Sequence, residues 1–197
     1  MGTYVNPGTK NFAIDIDDEF YVDKSMLIKV LNTKLNKKDR FICVSRPRRF
    51  GKTMAANMIA AYYSKDCDSH DVFSDLKISK DSSFEENINK YTVIQLDMND
   101  VVTNKEDNSI TEYINKEVVS ELRKIYPSAL PEENVSLSKA IKEIFSLTGD
   151  QFVFVIDEYD VIIRDQKYSS ELDGYLTFLV SLFKNSATAP AIALAYL

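Results

Sequence analysis

The stretch Phe41-Ile-Cys-Val-Ser-Arg-Pro-Arg-Arg-Phe-Gly-Lys-Thr53 decides the fold. An apolar, β-rich run enters a short loop, and Gly51-Lys52-Thr53 opens the helix-forming run Met54-Ala-Ala-Asn-Met-Ile-Ala-Ala61. Strand, loop and helix in that order are the context of a phosphate-binding P-loop, the Walker A element. Successive backbone N–H groups and the positive end of the helix dipole there face an anion. The loop and helix start, Arg46, Pro47, Arg48, Arg49, Phe50, Gly51, Lys52, Thr53 and Met54, are expected to cradle a nucleoside triphosphate. Lys52 would reach the β- and γ-phosphates, and the Thr53 hydroxyl would hold Mg²⁺. The usual G-x-x-x-x-G-K-[ST] spacing is broken at its first glycine, where this chain has Arg46-Pro47. Pro47 fixes φ and removes a donor N–H, so the neighbouring arginines are placed to supply side-chain charge instead. A Gly-Lys-Thr tripeptide alone also arises by chance at a helix start.

A second motif weighs against chance. Gln151-Phe-Val-Phe-Val-Ile-Asp157-Glu158-Tyr159-Asp160 is a continuous apolar run ending in acids. Such a run reads as a strand buried on both faces, as in a parallel sheet. Asp157 then lies at the strand's carboxyl end, where open α/β sheets bind ligands. This is the Walker B position. Asp157 is expected to hold Mg²⁺, and Glu158 to orient or deprotonate an attacking water. The plainer reading is a buried strand followed by a solvated acidic turn.

The two motifs frame an alternating pattern that predicts a three-layer, doubly wound, mainly parallel α/β sheet, a P-loop NTPase fold spanning one domain, 1–197. Within it, 1–37 is a lead-in segment and helix, and 38–197 the nucleotide-binding core. Residues before Phe20 look irregular. Asp23 or Ser25 could cap a helix carrying Met26, Leu27, Val30 and Leu31. A first strand is expected over Arg40–Ser45, the P-loop helix over Gly51–Ser64, and a second strand over Thr92–Asp97. Asp97 at that strand's end is a weak site candidate, since acids there also form turns. The segment 99–108 reads as a charged, mobile loop. Apolar stripes predict helices over 110–125, 137–147 (closed by Gly149) and 172–183, and the chain finishes with a buried strand over 191–197. Arg164 and Lys184 read as solvated surface, with a trans-acting charge as the alternative.

Composition narrows the functions. A net charge of −6 argues against a general nucleic-acid coat or an anionic-membrane binder. Against it, Arg40, Arg46, Arg48, Arg49 and Lys52 make a local basic island at the loop. Cys43 and Cys67 give no disulfide framework; Cys43 reads as small apolar filler in the first strand. The single histidine, His70, has no companions that suggest a metal site. No signal-like leader or membrane-length apolar run occurs, and Asn6 stands where a myristoylation signal has Ser or Thr. A cytoplasmic, reducing location is the expectation, with no membrane partner.

Tyr21-Val-Asp-Lys-Ser25, Phe41 to Thr53, Val93-Ile-Gln-Leu-Asp97 and Ile156-Asp-Glu-Tyr-Asp160 together resemble the AAA-ATPase-like family of P-loop proteins. In that family the arginine-rich loop is the norm. The resemblance implies ATP with Mg²⁺ as the ligand and a core of the additional-strand, catalytic-glutamate type. It also implies a following nuclease-like domain of the PD-(D/E)XK type. Related lead-in segments pack near the nucleotide base, which would bring Asp23 and Lys24 toward adenine or ribose, with capping the plainer role for Asp23. The family often continues its acidic motif with Thr-Pro, whereas this chain has Val161-Ile162, so the loop after Asp160 is left undetermined. A polar sensor residue follows the last strand in the family. Because the sequence stops at Leu197 without one, the reading is of an N-terminal fragment, truncated at its C-terminus, with sensor, arginine finger and nuclease-like domain outside it. The expected activity is ATP binding and hydrolysis, switching the conformation of a downstream domain or partner. The alternatives are a nucleotide-binding switch without useful hydrolysis, and a nucleic-acid-associated module using Arg46, Arg48 and Arg49. ATP over GTP rests on the resemblance.

Overall fold

The computed structural model describes residues 2–45, 50–131 and 135–197. The expected roles of Arg46, Pro47, Arg48 and Arg49 therefore lie outside the described residues. In chain order the elements are α1 (Lys10–Ile16), α2 (Met26–Asn32), β1 (Phe41–Ile42), α3 (Lys52–Tyr63), α4 (His70–Phe73), α5 (Phe84–Asn87), β2 (Thr92–Asp97), α6 (Met98–Asn104), α7 (Ile110–Ile125), α8 (Leu137–Thr148), β3 (Phe152–Asp157), α9 (Val161–Arg164), α10 (Leu172–Phe183) and β4 (Ile192–Tyr196).

The strands form one four-stranded sheet in the order β1-β4-β3-β2, and every strand pair is parallel. Alternate side chains serve opposite faces, as the pleat requires. Phe152, Phe154 and Ile156 of β3 join Ile94 and Leu96 in a core roofed by α6, α7, α8 and α10. Val153 and Val155 join Val93, Ala193 and Leu194 in a second core under α1, α2 and α3. Every residue of β3 is buried, which explains why its sequence runs apolar without alternation. Helix α3 is enclosed almost all round, with Ala55, Ala56, Ala60 and Ala61 buried along it. Small side chains let it lie close to the sheet and against α1, fixing where its N-terminus ends up.

Local signals account for several boundaries. At the start of α7, Ser109 Oγ accepts from the Glu112 N–H and the Glu112 carboxylate accepts from the Ser109 N–H, a reciprocal cap. Helix α8 stops at Gly149, whose φ of 75° suits the left-handed cap expected there.

Four local expectations are corrected. Residues before Phe20 are not irregular: Tyr4–Asn6 lies antiparallel along β2 through the Val5–Ile94 bridge, and α1 follows. Three consecutive N–H groups, of Thr3, Tyr4 and Val5, donate to the Glu121 carboxylate, a long-range anchor with no local sequence signature. Segment 99–108 is not a loop throughout, because Asp97 accepts from the Asn99 N–H and starts α6. Ser25 stands at the N-cap of α2 without capping it; its Oγ accepts from the Ile78 N–H instead. The regular part of β1 is only Phe41–Ile42, so Cys43 lies beyond it, exposed, and its Sγ donates to the Tyr159 hydroxyl at 2.9 Å rather than filling a core.

Candidate nucleotide site

The strands' carboxyl ends and the N-terminus of α3 converge. Gly51 precedes α3 in a left-handed conformation, φ 73°, which L side chains rarely adopt. Lys24 Nζ donates to the Phe50 carbonyl at 2.9 Å, tying the end of the loop to the lead-in segment.

From the first turn of α3, the Thr53 hydroxyl donates to Asp157 Oδ2 at 2.6 Å. Lys52 Nζ stands 3.2 Å from Glu158 Oε1. The two predicted motifs thus meet through two adjacent pairs of side chains. Asp157 ends β3 almost buried, with its Oδ1 accepting from the Glu158 N–H at 3.0 Å. Glu158 has φ 51°, a conformation seldom taken by residues other than glycine. Partial burial raises the Glu158 carboxyl, but Lys52 and then Arg164 outweigh it, so the group sits below its usual range and is ionised at neutral pH.

Arg164, read from the sequence as solvated surface with a trans-acting charge as the alternative, is exposed and also carries ion pairs that the sequence reading did not include. Its Nη2 lies 2.7 Å from Glu158 Oε2 and its Nε 2.9 Å from Asp160 Oδ2. The Asp160–Arg164 spacing of i,i+4 was the available signal. The segment after Asp160, left open by the sequence, is α9, with Ile162 buried beneath it. The Tyr175 hydroxyl donates to the Tyr159 carbonyl and pins the same turn.

Asp97 is the β2 residue paired in register with Asp157. Partial desolvation first, and then the Asp157 charge, push its carboxyl above the usual range against the opposing Asn99 hydrogen bond. The Asp23 carboxylate accepts from the N–H groups of Ser25 and Lys77, clamping the lead-in to the turn after α4. Lys24 instead lines an apolar cleft of about 260 Å³ with Phe20, Tyr21, Phe50, Met54 and Met58, directly beside Gly51. Phe50 and Phe20 are strongly exposed at its rim. Gln95 donates to Asn57, and Asn57 to Asp15, a polar chain running from β2 through α3 to α1 that the sequence did not suggest.

A family model described as a predicted AAA-ATPase matches residues 7–193. The chain belongs to the AAA-ATPase-like family. No curated protein and no solved structure matches it. Membership makes ATP the reference ligand for the geometry just described. Among the described residues, no group of three or more His, Cys, Asp or Glu side chains could hold a metal by itself, and no helix is long and apolar enough to cross a membrane. The first fact is compatible with Mg²⁺ in an AAA-ATPase-like chain. Mg²⁺ is commonly held by one or two protein oxygens together with substrate phosphates and water. The Thr53 hydroxyl and the Asp157 carboxylate, 2.6 Å apart, are oxygen donors of the kind Mg²⁺ prefers.

Proposed function

We propose that this chain binds ATP with Mg²⁺ and hydrolyses its terminal phosphoanhydride. The observation that carries the reading is the double contact between motifs, Thr53 with Asp157 and Lys52 with Glu158. The position of β4 between β1 and β3 supports the additional-strand assignment, and an acid directly after Asp157 supports the catalytic-glutamate part of it.

In this reading Thr53 and Asp157 would hold the metal, which would supply charge neutralisation to the phosphates. Lys52 binds the same phosphates. Glu158 orients a water and accepts its proton as the water oxygen bonds to the γ-phosphorus and the bond to the β,γ-bridging oxygen breaks, leaving ADP and inorganic phosphate. The apolar cleft beside Gly51 is the seat for the base, which would lie among Met54, Met58 and Phe50. Hydrolysis would alter the conformation of a downstream domain or partner, for which a nuclease-like domain is the family-based candidate.

A second reading, a nucleotide switch without useful turnover, is favoured by one observation: both Glu158 oxygens are engaged by cations. Thermal shift with ATP, GTP and ADP, each with and without Mg²⁺, tests binding, and steady-state phosphate release separates the two readings. Absence of any nucleotide-dependent shift would overturn both.

A further inference from the structure

Glu158 is shared. Its Oε1 faces Lys52 at 3.2 Å and its Oε2 faces Arg164 at 2.7 Å, so one carboxylate meets two cations through different oxygens. The Glu158 side chain is 18% exposed, and Arg164, at 42%, is also braced by Asp160 at 2.9 Å. The backbone of Glu158 is held in the left-handed region, an outlier that persists only where the surroundings fix it.

Lys52 cannot serve Glu158 and a polyphosphate equally. If it moves to the phosphates, Glu158 loses one partner and would face the incoming anion as a less compensated charge. Arg164 changes that balance in two ways. Its positive charge weakens the hold of Glu158 on Lys52, because it shares the carboxylate and repels the ammonium. It also retains Oε2, leaving Oε1 as the oxygen that opens toward a water. We propose that Arg164 is a positioning residue that takes over Glu158 when Lys52 is transferred to the nucleotide. This inference rests on the proposed ATP reading and adds a residue to it.

The test uses the full chain, Mg²⁺ and the β,γ-imido analogue of ATP, with single-turnover hydrolysis of ATP measured alongside. Arg164→Ala should raise the analogue's Kd about three- to five-fold, the size of effect a partly exposed ion pair supplies. It should lower the single-turnover rate about 10- to 100-fold, as misplacement of a catalytic group does. Arg164→Lys should restore the Kd but only part of the rate, since an ammonium lacks the planar fork that reaches Glu158 and Asp160 together. In a Glu158→Gln background, Arg164→Ala should leave the Kd unchanged. An equal Kd change in that background would mean that Arg164 contacts the nucleotide directly, overturning the proposal. Unchanged Kd and rate in Arg164→Ala would overturn it too, while Lys52→Ala still weakened analogue binding. If Lys52→Ala binds the analogue as tightly as wild type, the ATP reading itself falls, and this inference with it.

Discussion

The Thr53 hydroxyl and the Asp157 carboxylate meet at 2.6 Å although 104 residues separate them in the chain. Helix α3 and strand β3 are packed face to face, so the contact is fixed by the core rather than by the two side chains alone. Asp157→Asn keeps the shape but removes the charge that would hold a metal. With nucleotide at about 100 times its Kd, wild type should gain roughly 2.7 kcal/mol of stability. The Mg²⁺-dependent part of that gain should vanish in Asp157→Asn and shrink in Thr53→Ala. Thermal shift with and without Mg²⁺ measures it, and an undiminished Mg²⁺ effect in Asp157→Asn would remove Asp157 from the metal site.

Lys52 and Glu158 should separate binding from turnover. Lys52→Ala removes the ammonium that would meet the phosphates and should reduce nucleotide binding at least tenfold, a loss of about 1.4 kcal/mol or more. Glu158→Gln leaves a side chain of the same size that cannot take a proton. It should bind nucleotide at least as tightly as wild type, because Lys52 is released from its carboxylate partner. Its turnover should fall about 10²- to 10⁴-fold. Phosphate release and equilibrium binding on the same preparations check both, and wild-type turnover in Glu158→Gln would exclude Glu158 from proton transfer.

What could be read in advance, and what could not, follows from range. Strands β2 and β3 and helices α7, α8 and α10 carry their burial patterns within single segments, and periodicity found them. The meeting of Gly51-Lys52-Thr53 with Asp157-Glu158 was legible because each segment carries its own residue pattern. Helix α1 was not, because Phe12 is the only buried residue along it and the apolar stripe is too thin to stand out. The position of Cys43 and the engagement of Arg164 depend on where Tyr159 and Glu158 arrive in space. Glu121 gave no signal at all, since its partners are backbone N–H groups at the other end of the chain.

Those N–H groups make Glu121 a strong position for a stability test. Thr3, Tyr4 and Val5 all donate to it, at 2.8 to 2.9 Å, and the segment they hold covers the edge of β2. Hydrogen bonds to a charged acceptor contribute about 1.5–3 kcal/mol each at most, and they are not additive here. Glu121→Ala should cost about 2–3 kcal/mol, read as a lower urea midpoint. The amides of Asn6 and Gln95, which donate across this edge to the Val93 and Tyr4 carbonyls, should lose hydrogen-exchange protection in the variant. A loss of stability without faster exchange at those amides would mean that Glu121 acts elsewhere.

Lys65 and Asp150 set an expectation for pH. The two side chains are ion-paired beside Tyr126, whose hydroxyl also donates to Asp150 at 2.8 Å. Burial alone would raise the Asp150 carboxyl, but the Lys65 and Tyr126 hydrogen bonds outweigh it and leave the carboxyl below its usual range. A depressed carboxyl stabilises the fold fully above its unfolded value, near 3.9, and loses that contribution as pH falls through the lower folded value. Lys65 behaves oppositely. Burial would lower it, yet Asp150 and Tyr126 hold it above its usual value, so its contribution fades only as pH rises past about 10.4. The pair therefore contributes across the whole neutral range and weakens at both extremes. Asp150→Asn should lose about 1 kcal/mol at pH 7, a value discounted for the partial exposure of both groups. The gap between variant and wild type should narrow as pH falls below the unfolded carboxyl value, near 3.9. Urea midpoints at pH 3, 5 and 7 measure it, and a gap of equal size at all three would show that Asp150 stabilises by packing and not by charge.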